Sequence, residues 1–251
     1  MAAAGGFTDY FAAAADAYAR ARPRYPAALY AAIDAELSGH ALAWDCASGS
    51  GQAVAPLAAR FACVVATDAS AAQLARLRPA HNVRRVLARA EQAPLADGCA
   101  DLVTVAQALH WFALPAFYAE VRRVLRPGGV LAAWTYDLPT VGADVDALLA
   151  ELYGDTLAGC WPPERQLVER RYAGLPWPFA DTRTLTLEMR AQWRRETLLG
   201  YLASWSAVGV YRQRHGVDPL ARWAGALRTA WGERARRAVR WPLTLRLARL
   251  S

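Results

Sequence analysis

Between Ala41 and Trp134 short apolar runs alternate with stretches of helical length, and this rhythm constrains the fold more than any other feature. The runs Ala41–Trp44, Cys63–Thr67, Val83–Ala88, Asp101–Ala106 and Val130–Trp134 read as strands. Helices are expected over Tyr25–Leu37, with Pro26 near its start, over Gln52–Arg60, after an N-cap at Asp68 or Ser70, and over Pro115–Leu125. Strands joined through helices run parallel, and a parallel sheet is covered on both faces. The expected fold class is therefore α/β, with a doubly wound, mostly parallel sheet.

After Asp137 the rhythm changes. Helices are expected at Val141–Tyr153 and Glu164–Ala173, separated by the proline-aromatic run Trp161-Pro162-Pro163. Alternation returns at Arg183–Arg190, where Leu185, Leu187 and Met189 share a face. Helices follow at Thr197–Ser206 and Leu220–Trp231, and an alternating strand at Leu243–Leu250. At 251 residues and 55% hydrophobic content, the chain fits one large domain. We divide it into a cap (1–37), a core (38–137), a lid (138–181) and a C-terminal part of the sheet with its helices (182–251).

Composition narrows the setting. All 29 basic residues are arginine, and they are scattered among acids, so the net charge of +7 reads as a solvated surface rather than a nucleic-acid footprint. Cys46, Cys63, Cys99 and Cys160 lie far apart with no His cluster beside them, which points to free thiols in a reducing cytoplasm and to no metal. The longest uncharged run, Leu102–Ala119, contains Gln107, His110 and Pro115, so no membrane span is expected.

The chemistry starts at Trp44-Asp45-Cys46-Ala47-Ser48-Gly49-Ser50-Gly51-Gln52. A buried strand ends in an acid and turns through glycines that let a ligand approach the backbone, ahead of a helix N-terminus. Asp68 closes the next strand, 17 residues after Gly51, at the place from which a carboxylate grips ribose hydroxyls. The pair points to a cofactor containing a nucleoside. Asp45 would repel a pyrophosphate but not a cationic amine. Ala47 is small enough to keep the turn provided its φ is negative.

Asp45 to Gln52, Asp68, Ala90-Glu91-Gln92-Ala93-Pro94-Leu95 and Arg126-Pro127-Gly128-Gly129 together resemble a class I S-adenosylmethionine-dependent methyltransferase of the type 11 group. The resemblance extends to Tyr18-x-x-x-Arg22-Pro23-x-Tyr25-Pro26 and Gln107-Ala108-Leu109-His110-Trp111-Phe112. Late segments, Gly200–Ser206 and Trp241-Pro242-Leu243, are similar to the trans-aconitate-type subgroup. It implies a Rossmann-like, seven-stranded sheet with an antiparallel last strand, an N-terminal helix and a helical lid after the fifth strand. It also implies S-adenosyl-L-methionine as cofactor, held by Asp45, Ala47, Ser48, Gly49, Gly51, Gln52, Asp68, Ala69, Ala90, Glu91, Gln107, Ala108 and Trp111.

Each of these residues has a plainer reading as well. Asp68 serves equally as a helix N-cap, Glu91 as an exposed acid, and Trp161, Trp193 and Trp205 as core. His110 is either a general base or a packed wall. Tyr18 and Arg22 are candidates for closing the site, with Arg22 pairing an acceptor carboxylate, and Trp161 and Trp205 for lining the acceptor pocket. The expected activity is O-methylation of a small acid by a monomer or homodimer. The alternatives are C- or N-methylation of an aromatic metabolite, and non-catalytic binding of the methyl donor.

Overall fold

The computed structural model describes residues 22–250. Its elements are α1 (Ala27–Asp34), β1 (Leu42–Cys46), α2 (Val54–Ala58), β2 (Cys63–Asp68), α3 (Ala71–Leu74), β3 (Val83–Leu87), β4 (Ala100–Ala106), a 3-10 turn (Leu109–Trp111), α4 (Leu114–Val124) and β5 (Leu125–Tyr136). They continue with α5 (Ala143–Glu151), which runs into a π turn (Leu152–Thr156), α6 (Arg165–Glu169), β6 (Thr182–Trp193), α7 (Arg195–Ala203), α8 (Ser206–His215), α9 (Pro219–Trp231) and β7 (Arg237–Arg249).

One seven-stranded sheet has the order β3-β2-β1-β4-β5-β7-β6. The first five strands are parallel, and β7 is antiparallel to both of its neighbours. The fold expected from the sequence is the fold observed. Alternate residues along each strand serve opposite faces. Ala43, Val64, Leu102 and Ala132 pack with α1 and α2, whereas Trp44, Cys46, Val103 and Val105 pack under α4.

A third apolar cluster lies off the sheet. It joins Val145, Leu149, Leu152 and Leu157 from the segment after β5 to Leu198, Tyr201, Trp205, Val208, Trp223 and Leu227 from between β6 and β7. Two separate stretches of chain thus build one helical layer. Among the described residues no helix is long and apolar enough to cross a membrane, and the four cysteines are free.

Local chemistry explains the boundaries. Ser70, one of the two expected caps, accepts from the Gln73 amide and starts α3. Asp218 accepts from the Leu220 amide ahead of Pro219 and starts α9. Arg126-Pro127-Gly128-Gly129 is the irregular first part of β5, where the register against β4 shifts. The helix α8 was not expected, because only Ala207 and Val208 on it are buried and no apolar period marks it.

Candidate active site

The strand order reverses between β1 and β4: the chain leaves β1 toward β2 and returns on its other side. Ligands of open α/β sheets bind beyond the carboxyl ends of the strands at such a point. The residues immediately after these strands, Ala47 and Gln107, both have left-handed backbones, with φ of 53° and 57°. This corrects the expectation of a negative φ at Ala47. The turn demands the left-handed conformation there, which strains an alanine by about 1 kcal/mol relative to glycine.

The glycine turn is built tightly. Gly49 (φ 55°) donates its amide to Asp68 Oδ2 at 2.8 Å, and the Ser48 amide bonds the Thr67 carbonyl at 2.9 Å. At Gly51 (φ 87°) a Cβ would lie 2.7 Å from Leu77 Cγ, so only glycine fits. Asp68 Oδ1 accepts from the Ser70 amide at 2.8 Å. One carboxylate oxygen therefore faces the glycine turn and the other the start of α3, and a carboxylate has roughly four acceptor directions.

Asp45 is fully buried in β1. Thr104 donates its hydroxyl to Oδ1 at 2.6 Å, while Oδ2 has no partner. Burial pushes this carboxyl up to about 7, and the neighbouring Asp68 charge adds to the shift against the Thr104 hydrogen bond. Ser48 Oγ and Gln73 Oε1 are likewise buried without partners. Gln73 Oε1 is 4.0 Å from where a Cβ on Gly49 would sit. Three unmet polar atoms around one turn fit a polar, cationic guest that would relieve them. Gln73 was not singled out from the sequence, since one glutamine in a short helix gives no signal there.

Ala69 and Gln52 flank this turn half-buried, and Ala90 is buried after β3. Glu91 turns its carboxylate elsewhere: Oε1 accepts from the Ala113 amide at the start of α4, at 3.1 Å. The Gln107 amide is also committed. Its Oε1 accepts from Thr135 Oγ1 at 2.6 Å and from the Tyr136 amide at 3.0 Å, and its Nε2 donates to the Tyr136 carbonyl. Its side chain thus locks the end of β4 to β5, while the residue still lines a cleft. Ala108 is buried beside it.

That cleft brings together candidates far apart in sequence: Arg22, Gln107, His110, Trp111, Trp161 and Trp205. Tyr18 lies outside the described residues. Arg22 donates to the Tyr136 hydroxyl at 2.7 Å and sits over the Tyr201 ring. Trp205 is 5.4 Å from Trp161 and 5.8 Å from Tyr201, ring centre to ring centre. The π turn after α5 leaves the Tyr153 carbonyl to accept from Trp161 Nε1 at 3.1 Å.

Arg165 also lines the cleft and was missed from the sequence. Its Nε donates to the Tyr153 hydroxyl at 2.8 Å, and its guanidinium lies over the Tyr153 and Trp161 rings. No local pattern distinguishes one arginine among 29. The acid on the same wall, Asp137, pairs with Arg171 at 2.8 Å. His110 sits with its Nδ1 3.1 Å from the Tyr172 hydroxyl. Burial, and secondarily the Arg165 charge, push the imidazole down to about 3, so it is neutral at physiological pH.

The glycine turn and the acid ending the next strand, at the switch point of a parallel sheet, stand where open α/β sheets bind ligands. Comparison with known proteins gives the class. A family described as a methyltransferase domain, type 11, matches residues 44–133. A methyltransferase of Dictyostelium discoideum is 34% identical over 218 residues, covering 85% of this chain and 83% of that one. A solved type II methyltransferase from Anaeromyxobacter dehalogenans is 44% identical, covers 91% of this chain and 98% of that one, and superposes with a TM-score of 0.84. A malonyl-[acyl-carrier protein] O-methyltransferase of Dechloromonas aromatica is 39% identical over 110 residues, 41% of each chain. The chain belongs to the class I S-adenosylmethionine-dependent methyltransferases.

Proposed function

We propose that the protein methylates a carboxylate oxygen of a small acid, using S-adenosyl-L-methionine. The observation that carries this reading is that Arg22 and Arg165 both line the cleft, together with a neutral His110 and Gln107. Two guanidinium groups recognise an anion, and a carboxylate needs no base to become a nucleophile at neutral pH. The likeness of 110 residues to a malonyl-[acyl-carrier protein] O-methyltransferase supports oxygen as the acceptor atom. The trans-aconitate-type subgroup rests on the resemblance of the late segments alone.

In this reading Asp45 and the Ala47–Gln52 turn take the methionyl end, Asp68 the ribose, and Ala69, Ala90 and Glu91 the base. Gln107, Ala108 and Trp111 form the wall between donor and acceptor. Bound there, the cofactor supplies an electrophilic methyl on a sulfonium. The contribution of the chain is alignment: the arginines hold the acceptor, and the rings of Trp161, Tyr201 and Trp205 exclude water.

A second reading has its own observation. The same aromatic walls suit an aromatic metabolite methylated at carbon or nitrogen. Turnover screening that reports S-adenosylhomocysteine release across carboxylic acids, phenols and amines separates the two. Activity confined to phenols or amines would replace the acid reading. Turnover of nothing, with retained donor binding, would point to a non-catalytic protein.

A further inference from the structure

Four non-glycine residues among those described have left-handed backbones: Ala47, Gln107, Arg171 and Tyr172. The last two are consecutive, with φ of 54° and 58°, and end α6. Such strain persists only where surrounding contacts over-determine it. Arg171 is held by Asp137, and Arg246 donates to the Tyr172 carbonyl at 2.6 Å. The outcome of the bend is that the Tyr172 ring is fully buried and its hydroxyl reaches His110 Nδ1 at 3.1 Å.

The donor and acceptor roles at this contact follow from the neighbours. Among the described residues the only hydrogen bond of the Tyr172 hydroxyl is the one to His110 Nδ1. A fully buried phenol has to place its proton on an acceptor, and Nδ1 is the one within reach. Thr135 is also close, but its own proton goes to Gln107 Oε1, and a hydroxyl oxygen is a weaker acceptor than an imidazole nitrogen. Tyr172 therefore donates to Nδ1. In a neutral imidazole the ring proton then resides on Nε2, which has no hydrogen-bond partner among the described residues.

We infer that Tyr172 is a positioning residue that fixes His110 as an Nε2–H donor toward an anionic oxygen of the acceptor. The inference deepens the acid reading and rests on it for the identity of that oxygen. His110 then removes no proton. It supplies, with Arg22 and Arg165, a third donor on a wall that suits two carboxylate oxygens and gives nothing for a cationic acceptor to accept from.

The test is nitrogen-detected NMR of the ring nitrogens in protein labelled at histidine, without acceptor, across about pH 6–8. His110 is expected to show one tautomer throughout, with protonated Nε2 and bare Nδ1. An Nδ1–H tautomer, or a mixture, overturns the inference. In Tyr172→Phe, which keeps the ring and loses only the hydroxyl, the tautomers should mix. Its kcat/KM should fall about tenfold, through KM for the acid, on the scale of one hydrogen bond. Donor binding should be unchanged and the pH profile should stay flat. A pH profile in wild type that bends with the His110 titration would also overturn it. If no carboxylic acid is turned over, the acceptor reading fails while the tautomer result stands by itself.

Discussion

At the residue scale, Asp45 concentrates the conflict between folding and binding. A fully buried carboxyl with one unmet oxygen destabilises the protein alone and is relieved by a cation. Its pKa is raised from an ordinary value near 4 to about 7, so between those values the folded state holds a proton that the unfolded state has lost. Stability from this group is full below about pH 4 and is lost as the pH rises through 7. His110, pushed down to about 3, gives the opposite slope below its ordinary value. The Asp45 part is therefore read as a difference between wild type and Asp45→Asn. Without ligand, the variant should gain stability relative to wild type as pH rises from about 4 to 8. It should also bind S-adenosylmethionine more weakly. Titration calorimetry of wild type in buffers of different ionisation heat should detect proton release on binding near neutrality. A constant stability difference across that window would refute the assignment.

At the scale of elements, Asp101 shows how the sheet is pinned behind the site. It is buried at the start of β4, where Oδ2 accepts from the Ala41 and Leu42 amides at 2.7 and 2.8 Å. Arg126, in the irregular start of β5, pairs with Oδ1 at 2.6 Å. One side chain thus ties three adjacent strands. Asp101→Ala should cost about 2–4 kcal/mol in denaturant unfolding, since it strands two amides and a half-buried guanidinium. A loss below about 0.5 kcal/mol would mean the cluster is incidental.

Four of the five parallel strands were legible because mostly apolar runs between turn signals have few other uses, while β3 alternates less cleanly, with Arg84 and Arg85 exposed inside it. The ends were not: β6 extends to Thr182–Trp193 and β7 to Arg237–Arg249, through arginines whose alternate neighbours face the core. The same limit explains the site. Asp45, Gly49, Gly51 and Asp68 sit within one strand-turn-helix-strand unit, so spacing alone brings them together. Arg165 meets the cleft only through the π turn and the stack of Tyr153 on Trp161, and Tyr172 meets His110 only through two strained residues. Neither geometry has a local sequence signature.

At the scale of the whole molecule, donor and acceptor chemistry sit on different parts of the fold. Asp68 and the glycine turn, the proposed donor site, belong to the parallel half, which the family match covers. The proposed acceptor wall comes from Trp161, α7 and the residue before α8, in a helical layer with its own apolar core, and from Arg165 on α6, whose Val168 packs with the sheet cluster. A core that is separate can vary its lining without disturbing the sheet, which is how one fold serves many acceptors. The two halves should then fail independently. Asp68→Ala should weaken S-adenosylhomocysteine binding by about 1.5–3 kcal/mol, the scale of charge-assisted hydrogen bonds. The same change should leave KM for the acceptor within about twofold, well below the scale of a lost hydrogen bond. Arg165→Met keeps the apolar stem on Tyr153 and Trp161 and removes the charge, so it should raise KM for an acid about tenfold or more with donor affinity unchanged. Calorimetry for the donor and initial rates for the acceptor read the two effects separately. If Arg165→Met weakens donor binding as much as Asp68→Ala does, the sites are one coupled unit and the division drawn between sheet and helical layer is wrong.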